Sequence, residues 1–136
     1  MSKNWKDTAH TTLVGAEADT MSFPQGIALL RQAGIDGYAA DFRRATRTYY
    51  LPNGETLELA SAWLPEIVAE RFDAAAVIAA IREAQALLPG YTYKRFCAKV
   101  AEAGCAGYLV SLVGKRVLYY GRTGETHTEY FPGTQS

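Results

Sequence analysis

Apolar residues recur at helical spacing in three stretches of the chain. Phe23, Ile27 and Leu30 form one set, Val77, Ile78, Ile81 and Leu88 a second, and Tyr93, Phe96, Cys97 and Val100 a third. Steps of three and four residues put each set on one side of an α-helix. Boundary signals agree: Asp73 and Thr92 are suited to N-caps, Pro24 is tolerated in a first turn, and Pro89-Gly90 ends the second helix. Gly34 and Gly104 stand where a left-handed residue closes a Schellman motif, bringing Ile35 onto Leu30 and Cys105 onto Val100.

Beyond each glycine the period changes to two. Tyr38, Ala40 and Phe42, and later Tyr108, Val110 and Leu112, alternate with Ala39, Asp41 and Arg43 or with Ser111, which predicts strands with those sets turned inward. Gly114-Lys115 fits a two-residue hairpin turn with Gly first, whereas Arg44-Ala45 calls for a different turn. Further strands follow near 46–51 and 116–121, and a third in each half opens at Glu55 or Glu125, after Asn53-Gly54 or Thr123-Gly124. Trp63, Leu64, Ile67 and Val68 suggest another short helix after Pro65, and Leu13, Val14, Ala16 and Ala18 a short helix or a loose arm. The fold class expected is α+β, a single domain with an antiparallel sheet of six strands packed on helices.

The two halves also read alike. At an offset of 70 residues, nine of the twenty-four positions from Ala33 to Thr56 are identical, where chance gives about one or two. Ala33-Gly34, Gly37-Tyr38, Tyr49-Tyr50 and Gly54-Glu55-Thr56 lie over Ala103-Gly104, Gly107-Tyr108, Tyr119-Tyr120 and Gly124-Glu125-Thr126. An internal duplication follows, with an arm or short helix over 1–21, one copy over about 22–60, connecting helices over 62–88 and a second copy over about 92–131, the whole domain running over 22–132.

Ser22-Phe23-Pro24, Thr48-Tyr49-Tyr50, Phe72-Asp73, Ala103-Gly104-Cys105-x-Gly107-Tyr108 and Gly121-Arg122-x-Gly124-Glu125 together resemble the YdfO-like family of small bacterial and prophage proteins. The resemblance implies an α+β fold and a prophage type of origin. It implies no established activity and no catalytic residues. Some members carry the label "phage envelope protein"; the longest apolar runs here, such as 74–81, are far too short to span a bilayer.

Composition narrows the function. Fourteen Lys and Arg balance fourteen Asp and Glu, so no overall field draws in nucleic acid or anionic lipid. The N-terminal residues lack the apolar core of a signal peptide, which predicts a cytoplasmic protein. Cys97 and Cys105 fit no zinc spacing and fall over Ile27 and Ile35 in the other half, so they read as core residues; no metal or cofactor is expected.

Three sets of residues carry candidate chemistry. Adjacent tyrosines on a strand face opposite ways, so Tyr49-Tyr50 and Tyr119-Tyr120 each offer one ring to the core and one to the outer face. With Arg47, on the same face as Tyr49, and with Arg122, they suggest an aromatic and basic patch or a groove at the seam between copies. Glu125, His127 and Glu129 share a strand face and suit acid–base work, although Leu57 replaces the histidine in the first half. The expected function is a non-catalytic module binding a protein or small molecule, with a homodimer among the possible partners. A small enzyme built on the Glu-His-Glu set is the rival, and weak nucleic-acid binding, disfavoured by the charge balance, is the third reading.

Overall fold

A computed structural model describes residues 4–87 and 89–131. Leu88 and Pro132 lie outside the described residues. The first helix, α1 (Trp5–Glu17), precedes two units of like layout. One is α2 (Phe23–Gln32), β1 (Gly37–Asp41), β2 (Thr46–Tyr50) and β3 (Thr56–Ala60). After α3 (Ala74–Ala86) come α4 (Tyr93–Glu102), β4 (Cys105–Ser111), β5 (Arg116–Gly121) and β6 (Thr126–Tyr130). All strands join one antiparallel sheet in the order β3-β2-β1-β4-β5-β6, so the units meet edge to edge through β1 and β4. At that join Ala39 pairs with Leu109, its counterpart 70 residues on.

Local chemistry accounts for the helix ends. Ser22 and Gln25 form a reciprocal capping box on α2, while Asp73 and Thr92 accept from the third backbone N–H of α3 and α4. At the end of α2 the Ile35 N–H donates to Leu30 O at 3.1 Å and the Gly34 N–H to Arg31 O at 3.0 Å, the two bonds of a Schellman motif.

The register directs Tyr38, Ala40, Arg47, Tyr49, Tyr108, Val110, Val117 and Tyr119 to one face of the sheet. All are buried there, in contact with an apolar layer that includes Ile27, Leu30, Val77, Ile81, Phe96 and Val100 from the helices. The opposite face is open and carries Tyr50 and Leu109, both exposed. The helix α1 is packed, with Ala9 and Leu13 buried. Among the described residues, no helix is long and apolar enough to cross a membrane.

Two local expectations need correction. No helix follows Pro65. Instead, the N–H groups of Glu66, Ala69 and Asp73 donate to Phe42 O, Ala101 O and Ala103 O, so neighbouring elements satisfy a backbone that would otherwise bond to itself. Val68 and Phe72 are buried by this strap, and Leu64 and Ile67 remain exposed. The β1–β2 and β4–β5 turns are also alike: the residue at positive φ is Ala45 in one and Lys115 in the other, and Gly114 is not used that way. The residue opening each turn sets its shape. Asp41 accepts from the N–H groups of Arg43 and Arg44 at 3.0 and 3.2 Å, and Ser111 from Gly114 N–H at 2.8 Å.

Candidate functional site

Hairpin pairing sets Arg47 opposite Ala40 and Tyr49 opposite Tyr38, so both β2 side chains point under the helices. Arg47 is only 5% exposed. Its Nη2 donates to the hydroxyls of Tyr93 and Tyr108 at 2.8 and 3.3 Å, and Nη1 to that of Tyr49 at 3.2 Å. The guanidinium carbon lies 4.7 Å from the centre of the Tyr38 ring and 5.4 Å from that of Tyr93, within cation–π range. Four tyrosines therefore cage one cation.

The cage lacks a counter-charge. Among the described residues no carboxylate lies within ion-pair distance of Arg47, and the guanidinium has more N–H donors than these hydrogen bonds use. Burial opposes its charge and the surrounding tyrosine oxygens favour it, raising its pKa well above the ordinary arginine value; that support comes from phenolates, which form only in strong alkali. Burial also lifts the Tyr93 and Tyr108 hydroxyls well above the usual phenol range, so they stay protonated at neutral pH.

Arg47, Tyr93 and Cys97 line a cavity of about 40 Å³ together with Leu13 and Trp63. Two carboxylates, those of the half-buried Glu17 and Glu66, line it; Asp41 also borders it, but its side chain points to the open face of the sheet on the side of Tyr120. Glu17 is already engaged, accepting from Ser61 Oγ at 2.6 Å and Ala62 N–H at 3.1 Å. The half-buried Glu66 side chain makes no hydrogen bond among the described residues. A larger hollow of about 280 Å³ lies between α3 and α4, but its charges are occupied, Lys99 by Glu83 and Arg95 by Gly90 O.

The six residues expected to line one groove do not gather in one place. Tyr49, Tyr119 and Arg47 are inside, Tyr50 and Tyr120 are on the open face, and Arg122 donates to Val68 O at 3.1 Å beside the strap. The outer aromatic and basic patch built on Arg47 and Tyr49 is thus corrected to an interior cage. Alternation ties Arg47 to the face of Tyr49 without saying which face the helices cover. Tyr38, Tyr108, Tyr93 and Trp63 were not among the expected site residues. The pairing of Arg47 with inward Ala40 could have found the first two; Tyr93 and Trp63 arrive from α4 and the strap, which sequence spacing does not connect to β2.

Glu125 stands apart from the acid–base set, accepting from Thr123 Oγ1 in the exposed turn at 2.8 Å. His127 Nε2 lies 2.5 Å from Glu129 Oε2, and Arg82 Nη1 lies 2.8 Å from Glu129 Oε1. Burial raises the Glu129 pKa, but Arg82 and His127 outweigh it and hold the carboxyl below its ordinary value. This geometry is that of an ion pair between α3 and β6. Both cysteines are buried, and burial pushes the Cys97 and Cys105 thiols up to about 12 and about 11. Among the described residues, no three His, Cys, Asp or Glu side chains gather as a metal site.

Fold and site together define an α+β domain whose sheet and helices enclose a cation beside a small cavity. The chain belongs to the family described as "Protein of unknown function (DUF1398)", which matches it over residues 11–129. No curated protein matches it.

Proposed function

We propose that the protein is a non-catalytic binding module that takes a small ligand into the cavity beside Arg47. The observation that carries this reading is the buried guanidinium, which has no anionic partner among the described residues. Removing a cation from water costs several kcal/mol unless an opposite charge compensates (order of magnitude). Tyrosine hydroxyls and rings offset part of that cost, and a ligand supplies the rest. The acid–base reading is less well supported, because Glu129 is held by Arg82 and Glu125 lies apart. The prophage-type reading rests on the sequence likeness alone. Duplication of an ancestral half is supported further by reciprocal bonds at the join: Phe42 N–H donates to Ala106 O, and Leu112 N–H to Asp36 O.

A nuclear magnetic resonance screen of small polar compounds tests the assignment. The expected result is shifts clustered at Arg47, Trp63, Tyr93 and the end of α1. Shifts confined to Tyr50, Leu109 and Tyr120 would move the binding surface to the open face of the sheet.

A further inference from the structure

Resting on that reading of the cavity, we infer that its ligand is a small amino-carboxylate zwitterion, with its carboxylate on Arg47 and its ammonium beside Glu66. The charges lining the cavity are arranged by depth. Among the described lining residues the one cation is the buried Arg47, whereas Glu17 and Glu66 are only half-buried. A lone cation would meet the guanidinium at the inner end. A phosphate dianion would have to pass two carboxylates. A ligand that leads with a negative group and trails a positive one complements both ends.

Size points the same way. A cavity of about 40 Å³ holds roughly three waters at about 10–15 Å³ each. That is the room one carboxylate group needs once those waters leave. The remainder of the ligand then sits at the mouth, where Trp63 and Tyr93, with ring centres 5.5 Å apart, offer faces suited to an ammonium or a short aliphatic group. Glu66 is the carboxylate free to receive the ammonium, since Glu17 is already engaged by Ser61 and Ala62. Guanidinium donors left over from the tyrosine bonds provide the charge-assisted contact for the carboxylate.

The test compares glycine, acetate and methylammonium, each titrated into the full chain at constant ionic strength and followed by thermal denaturation and tryptophan fluorescence. Glycine is expected to raise the melting temperature, with acetate about five- to tenfold weaker and methylammonium inactive. Glu66→Gln should remove the advantage of glycine over acetate without weakening acetate, and Arg47→Met should abolish both. The Glu66 variant changes only a half-buried side chain in the strap, so it remains informative if the Arg47 variant folds poorly. Equal binding of acetate and glycine, or a glycine preference that survives Glu66→Gln, overturns the zwitterion and leaves the cavity reading intact. No response to any of the three compounds also overturns it; the cavity reading itself fails only if the broader screen shifts nothing at Arg47, Trp63 and Tyr93.

Discussion

Gly104 meets two demands at once. Its φ of +93° lies in the left-handed region, and a Cβ there would come 2.0 Å from Arg71 O in the strap. Gly34, at φ +86°, has nothing within 4 Å of the same position. Alanine at Gly34 is therefore expected to cost about 1–2 kcal/mol, the left-handed penalty alone. Alanine at Gly104 should cost clearly more, because backbone must also move. Urea denaturation of the two variants checks this, and equal losses would mean that the strap yields freely. The thiols offer a second check at this scale. Buried and shifted to about 12 and about 11, Cys97 and Cys105 should react with a thiol reagent only as fast as the protein unfolds; rapid labelling of both in the native state would refute their placement in the core. Their burial was legible from the apolar residues, Ile27 and Ile35, at the matching places. The clash at Gly104 was not, since it depends on a segment that sequence reading took for a helix.

At the scale of elements, the strands bring their phenols together and the helices close over them. Burial raises the hydroxyl pKa values of Tyr38, Tyr93, Tyr108 and Tyr119 above the ordinary 10.0. The unfolded chain loses these protons near pH 10 and the folded chain keeps them, so their contribution is complete below that pH and declines as pH rises through it. Chemical denaturation at pH 8 and at pH 10.5 should show lower stability at the higher pH, with the two thiols acting in the same direction. Equal stability would mean that the cage is open to solvent. Strand alternation and helix caps made most elements readable, from the inward set Tyr38, Ala40 and Phe42 to the caps Asp73 and Thr92. The strap over 61–73 was not readable, because Trp63, Leu64, Ile67 and Val68 have helical spacing while their backbone partners lie in β1–β2 and α4. The equivalence of the two turns was hidden too, since Asp41 and Ser111 do the capping, not Gly114.

For the whole molecule, the notable feature is an imbalance inside a symmetric frame. The two units meet at Ala39 and Leu109 and present the same pattern of strands, yet Arg47 is matched by Val117, and Leu59 by Glu129. The offset of 70 residues exposes this asymmetry in the sequence; its meaning emerges only when α4 and the strap close over Arg47. A residue kept for a ligand need not support the fold. If Arg47 is replaced by methionine, Tyr93 and Tyr108 keep their mutual contact at 2.6 Å and Tyr49 keeps Thr12 at 3.4 Å, so no hydroxyl of the cage is stranded. Replacing a buried ion pair by well-packed apolar side chains is often neutral or stabilising, by about 1–4 kcal/mol, and a cation without an anionic partner has less Coulombic attraction to lose. The decisive measurement is the unfolding free energy of Arg47→Met against the parent chain without ligand. Stability equal to or above that of the parent is expected, and a loss of several kcal/mol would show that the cation holds the fold together and is not held in reserve for a ligand.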